Sequence, residues 1–171
     1  MLLSPSRRPF WLALSGSALA LEATALYFQY VMGLDPCVLC VYERAAVAGI
    51  LLAGLLGLVA PGLRIWRLPC YFIWAASAIW GLKLAMKHVG IQFGTSDLSC
   101  DFFANFPAWF KLDEWLPAVF TPTGYCTDVQ WQLFGFTMPQ WMLVVYTGYL
   151  LLLVVALAVE FRKPATPEWI D

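Results

Sequence analysis

The chain has 171 residues, of which 61% are hydrophobic and only 12% charged, with a mean hydropathy of +0.72. Domains that face water carry roughly 45–50% apolar and 25% charged residues, so the composition excludes a soluble fold and expects an integral membrane protein. A net charge of −1 with no basic stripe among the aromatics leaves no electrostatic footprint for nucleic acid.

Met1 to Pro9 is a short polar head with Arg7 and Arg8. Residues 10–32 are then apolar apart from small hydroxyls, Glu22 and Gln29. About 20 residues of helix cross the hydrocarbon core, so this is the first span. A cleaved signal peptide is the rival reading, because Ala18, Ala20 and Ala23 mimic a cleavage site. The run exceeds the roughly 7–15 apolar residues of such peptides, and the span is preferred. After a turn at Gly33 to Pro36, further spans are expected at about 41–60, 68–86 and 141–159. Pro61-Gly62 closes the second. Lys83, Lys87 and His88 lie near the far end of the third. The expected architecture is all-α: a single membrane domain over residues 1–171, built as a bundle of four transmembrane helices with outer loops at about 33–40 and 89–140.

Four spans put the head, the second-to-third loop and the tail on one side, which collects Arg7, Arg8, Arg64, Arg67, Arg162 and Lys163. The bias toward Lys and Arg places both termini in the cytoplasm. Residues 33–40 and 89–140 then face outward, in a bacterium into the periplasm, where disulfides persist. Within the long loop, Trp109, Leu112, Trp115 and Leu116 recur at helical spacing with Lys111, Asp113 and Glu114 between them. A short helix lying in the headgroup region, in contact with membrane lipid, fits that pattern. A helix packed on the loop's own small core is the alternative.

The chemistry concentrates in Asp35-Pro36-Cys37-Val38-Leu39-Cys40-Val41-Tyr42-Glu43-Arg44. Pro36 suits the first helical position and Asp35 the N-cap. Cys37 and Cys40 then lie in the first turn, where unpaired N–H groups and the helix dipole favour thiolate. Arg44 falls one turn below Cys40 on the same face, placed to stabilise a thiolate or an anionic ligand. Zinc is set aside: a structural site wants four sulfur or nitrogen ligands, Cys100 and Cys126 are 26 positions apart, and the single histidine lies elsewhere in the sequence. A ring as small as Cys37–Cys40 closes little chain entropy and is labile, which favours a redox pair over an inert bridge. Cys100 and Cys126 read either as a loop staple worth about 3 kcal/mol or as a second dithiol in exchange with the first.

Electrons entering such a pair must leave. One histidine cannot supply two axial haem ligands, and no Cys-x-x-Cys-His motif is present. A carrier dissolved in the bilayer fits a pair at the lip of a span, and a quinone needs an apolar slot with a few polar groups at its ring oxygens. Arg44 and His88 fall at the outer ends of their spans and could meet there; snorkelling and interfacial packing are their bland alternatives. Glu43 reads as a solvated helix start, Glu22 as a costly intramembrane carboxylate without a visible partner, and Cys70 as a small buried hydrophobe.

The order of these features resembles the disulfide bond formation protein B (DsbB) family. The resemblance rests on residues 36–44, Ser99-Cys100-Asp101-Phe102, Phe106-Pro107, Gly124-Tyr125-Cys126 and Met138-Pro139-Gln140-Trp141, and covers nearly the whole chain. It implies an inner-membrane enzyme that reoxidises the periplasmic dithiol oxidase DsbA and passes the electrons to ubiquinone or menaquinone. It also implies that Cys100 forms the mixed disulfide with DsbA and that Cys126 is its disulfide partner. Cys37 would exchange with the loop cysteines, and Cys40 would face the quinone, with Arg44 stabilising its charge and His88 near the ring. Cys70 has no place in that mechanism. Other readings are a paralogue serving a dedicated partner, a vitamin K epoxide reductase-like oxidoreductase, whose Cys-x-x-Cys stands late in its bundle, and a metal-binding or scaffold membrane protein.

Overall fold

The computed structural model describes residues 4–94, 104, 106–107 and 111–162. Four long helices dominate it: α1 (Arg8–Tyr30), α2 (Val38–Val59), α3 (Arg64–Gln92) and, after the loop elements, α6 (Met138–Arg162). Each is long and apolar enough to cross a membrane. Between α3 and α6 lie two single turns, α4 (Leu112–Trp115) and α5 (Pro117–Phe120), and a hairpin of β1 (Gln132–Leu133) with β2 (Phe136–Thr137). The hairpin is a small departure from the all-α expectation. Its turn puts Phe134 and Gly135 at φ 53° and 81°, as a two-residue type I′ connection requires.

The packing follows chain order: α1 lies on α2, α2 on α3 and α3 on α6. The core is aromatic at the end near the chain terminus, where Phe10, Trp11, Tyr71 and Trp74 meet at ring separations of 5.3–6.2 Å. Large apolar side chains such as Leu19, Leu52, Phe72, Ile79 and Leu151 point outward, as a lipid-facing surface demands. At Gly81 a Cβ would lie 2.2 Å from the Tyr146 ring, so glycine lets α6 approach α3.

Helix α3 begins four residues before the expected span and ends six beyond it, because its charged ends are paired or buried. Arg67 bonds Glu160 of α6 at 2.5 Å and also reaches the carbonyl oxygens of Pro61 and Gly62. Tyr71 Oη donates to the same carboxylate at 3.4 Å, and Arg64 Nε lies 3.4 Å from it. Twenty-nine residues make about 43 Å of helix, longer than the roughly 30 Å hydrocarbon slab. Both ends of α3 therefore project past it. Cys70 is buried, and its thiol donates to the Trp66 carbonyl at 3.3 Å.

The loop differs from the single helix expected there. Leu116, which precedes Pro117, takes φ −134° and ψ 63°, outside the helical region that a following proline disfavours, and the chain breaks into α4 and α5. Leu112 and Phe120 turn inward onto Val41 of α2, while Trp115 and Leu116 stay exposed. Trp109 lies outside the described residues. Lys111 reaches Glu114 at 2.6 Å, and that carboxylate raises the lysine's pKa. Helix α6 starts with a capping box: Gln140 Oε1 accepts from the Thr137 N–H at 2.8 Å.

Candidate functional site

The site is assembled where the segment after α5 crosses the turn before α2. The Pro36 carbonyl accepts from the N–H groups of Thr123 at 2.8 Å and Gly124 at 3.0 Å. The Asp35 N–H donates to Gln130 Oε1 at 2.8 Å, its carbonyl accepts from Gln130 Nε2 at 3.2 Å, and its carboxylate accepts from Thr123 Oγ1 at 3.0 Å. The strands run so close that a Cβ on Gly124 would lie 2.3 Å from the Asp35 carbonyl oxygen. This seam brings Cys126, buried and disulfide-bonded, into one cluster with Cys37, Leu39 and Ile91. Cys37 and Cys40 are free thiols. Cys100 lies outside the described residues.

These bonds also move the helix start. Asp35 is occupied by Thr123 and Gln130, so it does not cap α2; Cys37 does. With φ −78° and ψ 170° it stands just outside the helix, and its Sγ accepts from the Cys40 N–H at 3.2 Å. A thiolate or thiol sulfur thus takes the place usually held by a serine or aspartate oxygen.

Behind Cys37 stands a buried polar chain. Cys37 Sγ lies 3.6 Å from His88 Nε2, and His88 Nδ1 lies 3.2 Å from Glu43 Oε1. Glu43 is 4% exposed and His88 3%. The solvated helix start expected for Glu43 is therefore wrong, because α3 packs on α2 there and sets His88 against the carboxylate. Tyr146 Oη donates to the Glu43 carbonyl at 2.7 Å and braces α6 against this level of α2. His88, distant from the motif in sequence, stands beside it in the fold: the donor atoms of Cys37, Cys40 and His88 lie within 4.8 Å of one another. Among the described residues these make three ligands, one short of a closed structural zinc site.

Arg44 does not snorkel. Its Nη1 donates to Gln29 Oε1 at 2.6 Å and to the Val119 carbonyl at 3.0 Å, and its Nη2 donates to the Ala25 carbonyl at 3.1 Å. It faces a cavity of about 260 Å³ between α1, α2 and the start of α6. Cys37, Cys40, Arg44 and His88, the four inner residues singled out from the sequence, all line it. Apolar walls come from Leu21, Phe28, Val47, Trp131 and Met142. Glu22 lines it too, and its buried Oε1 has no hydrogen-bond partner. Arg44 and His88 approach the cavity from different sides, one held by α1 and the other by Glu43.

Comparison with known proteins bears directly on this geometry. The family model described as "Disulfide bond formation protein DsbB" matches residues 7–156, which include every residue of the site. The chain belongs to the DsbB family. A relative from Shewanella sp. (strain MR-4), named Disulfide bond formation protein B, is 55% identical over 162 residues, covering 92% of this chain and 93% of its own length. Relatives of the same name from Psychromonas ingrahamii and Aeromonas hydrophila are 53% and 50% identical, over 85% and 88% of this chain and 79% and 87% of their own lengths. The protein is accordingly a multi-pass bacterial membrane oxidoreductase of disulfide bond formation, as the resemblance implied.

Sequence reasoning gave no role to Gln29, Gln130 or Tyr146, and Gly124 entered only as part of the motif around Cys126. Gln29 carried a signal of its own, as a polar residue in an otherwise apolar span. The others act through partners dozens of positions away, which no local pattern marks.

Proposed function

We propose that this DsbB-family chain reoxidises a periplasmic DsbA-like dithiol oxidase by thiol–disulfide exchange and passes the two electrons to ubiquinone or menaquinone. The observation that carries the reading is a free Cys-x-x-Cys pair whose two sulfurs line an apolar cavity, with a disulfide-bonded Cys126 packed against Cys37. Cys100 is the proposed partner of Cys126 and the sulfur that the soluble oxidase attacks. Cys126 then exchanges with Cys37, and the released electrons reach Cys40.

The cavity suits a quinone ring. Its volume lies just below the roughly 300–1,000 Å³ of small-molecule sites, which fits one substituted ring and leaves an apolar tail to lipid. Among the described residues three hydrogen bonds from Arg44 go to protein, out of five N–H donors, and the Glu22 oxygen without a partner among them faces the same space. When bound, the quinone supplies the sink for two electrons. Cys40 and Arg44 are the residues proposed to hold it, with His88 lining the same space. DsbA is strongly oxidising, at about −120 mV, so the terminal acceptor must lie above that potential.

The arginine distribution supports a topology with both termini in the cytoplasm and the active cysteines on the periplasmic side of the inner membrane. The exposed Trp115 and Leu116 then face the outer headgroups. The test is anaerobic mixing of purified protein, reduced DsbA and a short-tailed quinone while following quinone absorbance. Catalytic loss of the quinone band is expected. No loss with a fully folded protein would overturn the proposal.

A further inference from the structure

The mechanism above leaves one buried pair unused. Glu43 and His88 sit in the interior with side chains 6% and 4% exposed, and Glu43 lies one position from Arg44 yet does not pair with it. Burying a carboxylate is costly unless a specific partner holds it, and the partner here is one ring nitrogen of the only histidine in the chain. The other nitrogen lies 3.6 Å from Cys37 Sγ, within hydrogen-bond reach of sulfur, with Cys40 Sγ also within the same 4.8 Å cluster.

From this geometry we infer that Cys37, His88 and Glu43 form a sulfur–imidazole–carboxylate relay, in which His88 is the acid and base for Cys37 and Glu43 is the positioning residue. A carboxylate accepts only, so Nδ1 must carry a hydrogen toward Glu43, and Nε2 is left to face the sulfur with either a lone pair or a proton. That is the arrangement that lets an imidazole serve a nucleophile in hydrolases, reached here with a thiol at a helix N-cap. The Cys126 backbone also hydrogen-bonds His88, so the ring stands beside both Cys37 and the residue that exchanges with it.

The inference rests on the exchange role proposed for Cys37. When an incoming thiolate attacks Cys126 in the Cys37–Cys126 mixed disulfide, a new S–S bond forms at Cys126 and the old one breaks. The electron pair stays on Cys37, and Nε2 gives it a proton. In reoxidation the flow reverses: Cys40 reacts as the thiolate, and the Cys37 proton moves to Nε2 as its sulfur bonds Cys40. The pair's two electrons would pass to a membrane quinone that takes its two protons from solvent, balancing the two released by the soluble dithiol. Glu43 holds the ring in register throughout, and its charge offsets the imidazolium that forms in each cycle.

The single histidine makes the test direct. Nitrogen-15 labelling of histidine in the full chain, purified in nanodiscs, gives one pair of ring signals. The expected state at neutral pH is a proton on Nδ1, with Nε2 either free or protonated. A neutral ring carrying its proton on Nε2 alone would overturn the relay without any variant. Alongside it, single-turnover reduction of the Cys37–Cys40 disulfide by reduced DsbA, trapped by alkylation, measures the exchange step apart from quinone. Glu43→Gln should slow that step about 100-fold, and His88→Gln by a similar factor, within the range removed with a general acid–base. Because Glu43 acts through His88, the double variant should be no slower than His88→Gln alone. Glu43→Asp, which keeps the charge but is shorter, should recover part of the rate. Independent, multiplying losses would sink the relay while leaving the exchange reading intact. A wild-type chain that never oxidises DsbA would sink the reading itself, and the nitrogen-15 signals would still judge the ring.

Discussion

Gly124→Ala isolates the seam that brings Cys126 to the Cys37–Cys40 pair. A Cβ at this position would stand 2.3 Å from the Asp35 carbonyl oxygen, where ordinary contact begins near 3.4 Å, so the strands must part by about 1 Å. The obstacle is backbone, which cannot swing aside as a side chain would. The 2.8 and 3.0 Å bonds from Thr123 and Gly124 to the Pro36 carbonyl then stretch beyond useful length. At about 0.5–1.5 kcal/mol for each, the pair accounts for about 1–3 kcal/mol. The larger effect is on chemistry, since a misplacement of about 1 Å between reacting groups can cost about 100-fold in rate. Single-turnover reduction of the Cys37–Cys40 disulfide by reduced DsbA should slow by that order, while thermal unfolding falls only slightly. Gly148→Ala, where nothing lies within 4 Å, is the control and should leave the rate alone. Wild-type exchange in Gly124→Ala would refute the claim that the crossing sets the register of the sulfurs.

Other sites make independent predictions. Arg44→Lys keeps the charge but cannot reach Gln29, Ala25 and Val119 together, so the Michaelis constant for a short-tailed quinone should rise about tenfold, equivalent to about 1.4 kcal/mol; steady-state quinone titration checks it. Glu160→Ala strands the buried Arg67 guanidinium and should cost about 3–5 kcal/mol in thermal or denaturant unfolding, whereas replacing Arg67 and Glu160 together with methionine should cost much less. Tyr146→Phe removes one hydrogen bond to the Glu43 carbonyl and should destabilise by about 1 kcal/mol, read as a lowered Tm.

The four helices were legible because apolar runs of about 20 residues have few other uses. Their ends were not. Arg64 and Arg67 look like loop residues until Glu160, 93 positions beyond Arg67, supplies the charge that lets α3 start there. The Cys-x-x-Cys motif and Arg44 could be read from helical spacing, since Cys40 and Arg44 share one helix and Cys37 caps it. The cap could not, because the competition for Asp35 comes from Thr123 and Gln130 in a distant loop. Glu43 shows the same limit from the other side. Its local neighbours suggest solvent, and only the packing of α3 against α2 reveals that His88 is its partner. The loop helix failed for a local reason that was visible in principle: Pro117 sits in the middle of the stretch expected to be continuous.

Two sulfurs three positions apart end up in different mechanical settings, and the displaced helix start is the cause. Cys40 is the third residue of α2, fixed by the helical backbone on the side of Arg44. Cys37 is the cap, extended at its own φ and ψ with only its carbonyl tied into the helix, by the Val41 N–H at 3.0 Å, and Cys126 packs against it. A relay needs one sulfur that changes partners and one that stays beside the acceptor. Had α2 begun at Pro36, both would be locked into one rigid turn, and reaching Cys126 would require unwinding the helix. By tying down Asp35 and Pro36 from outside, the segment around Gly124 moves the start of α2 to Val38. The same hydrogen bonds that bring Cys126 close therefore also release Cys37 to meet it.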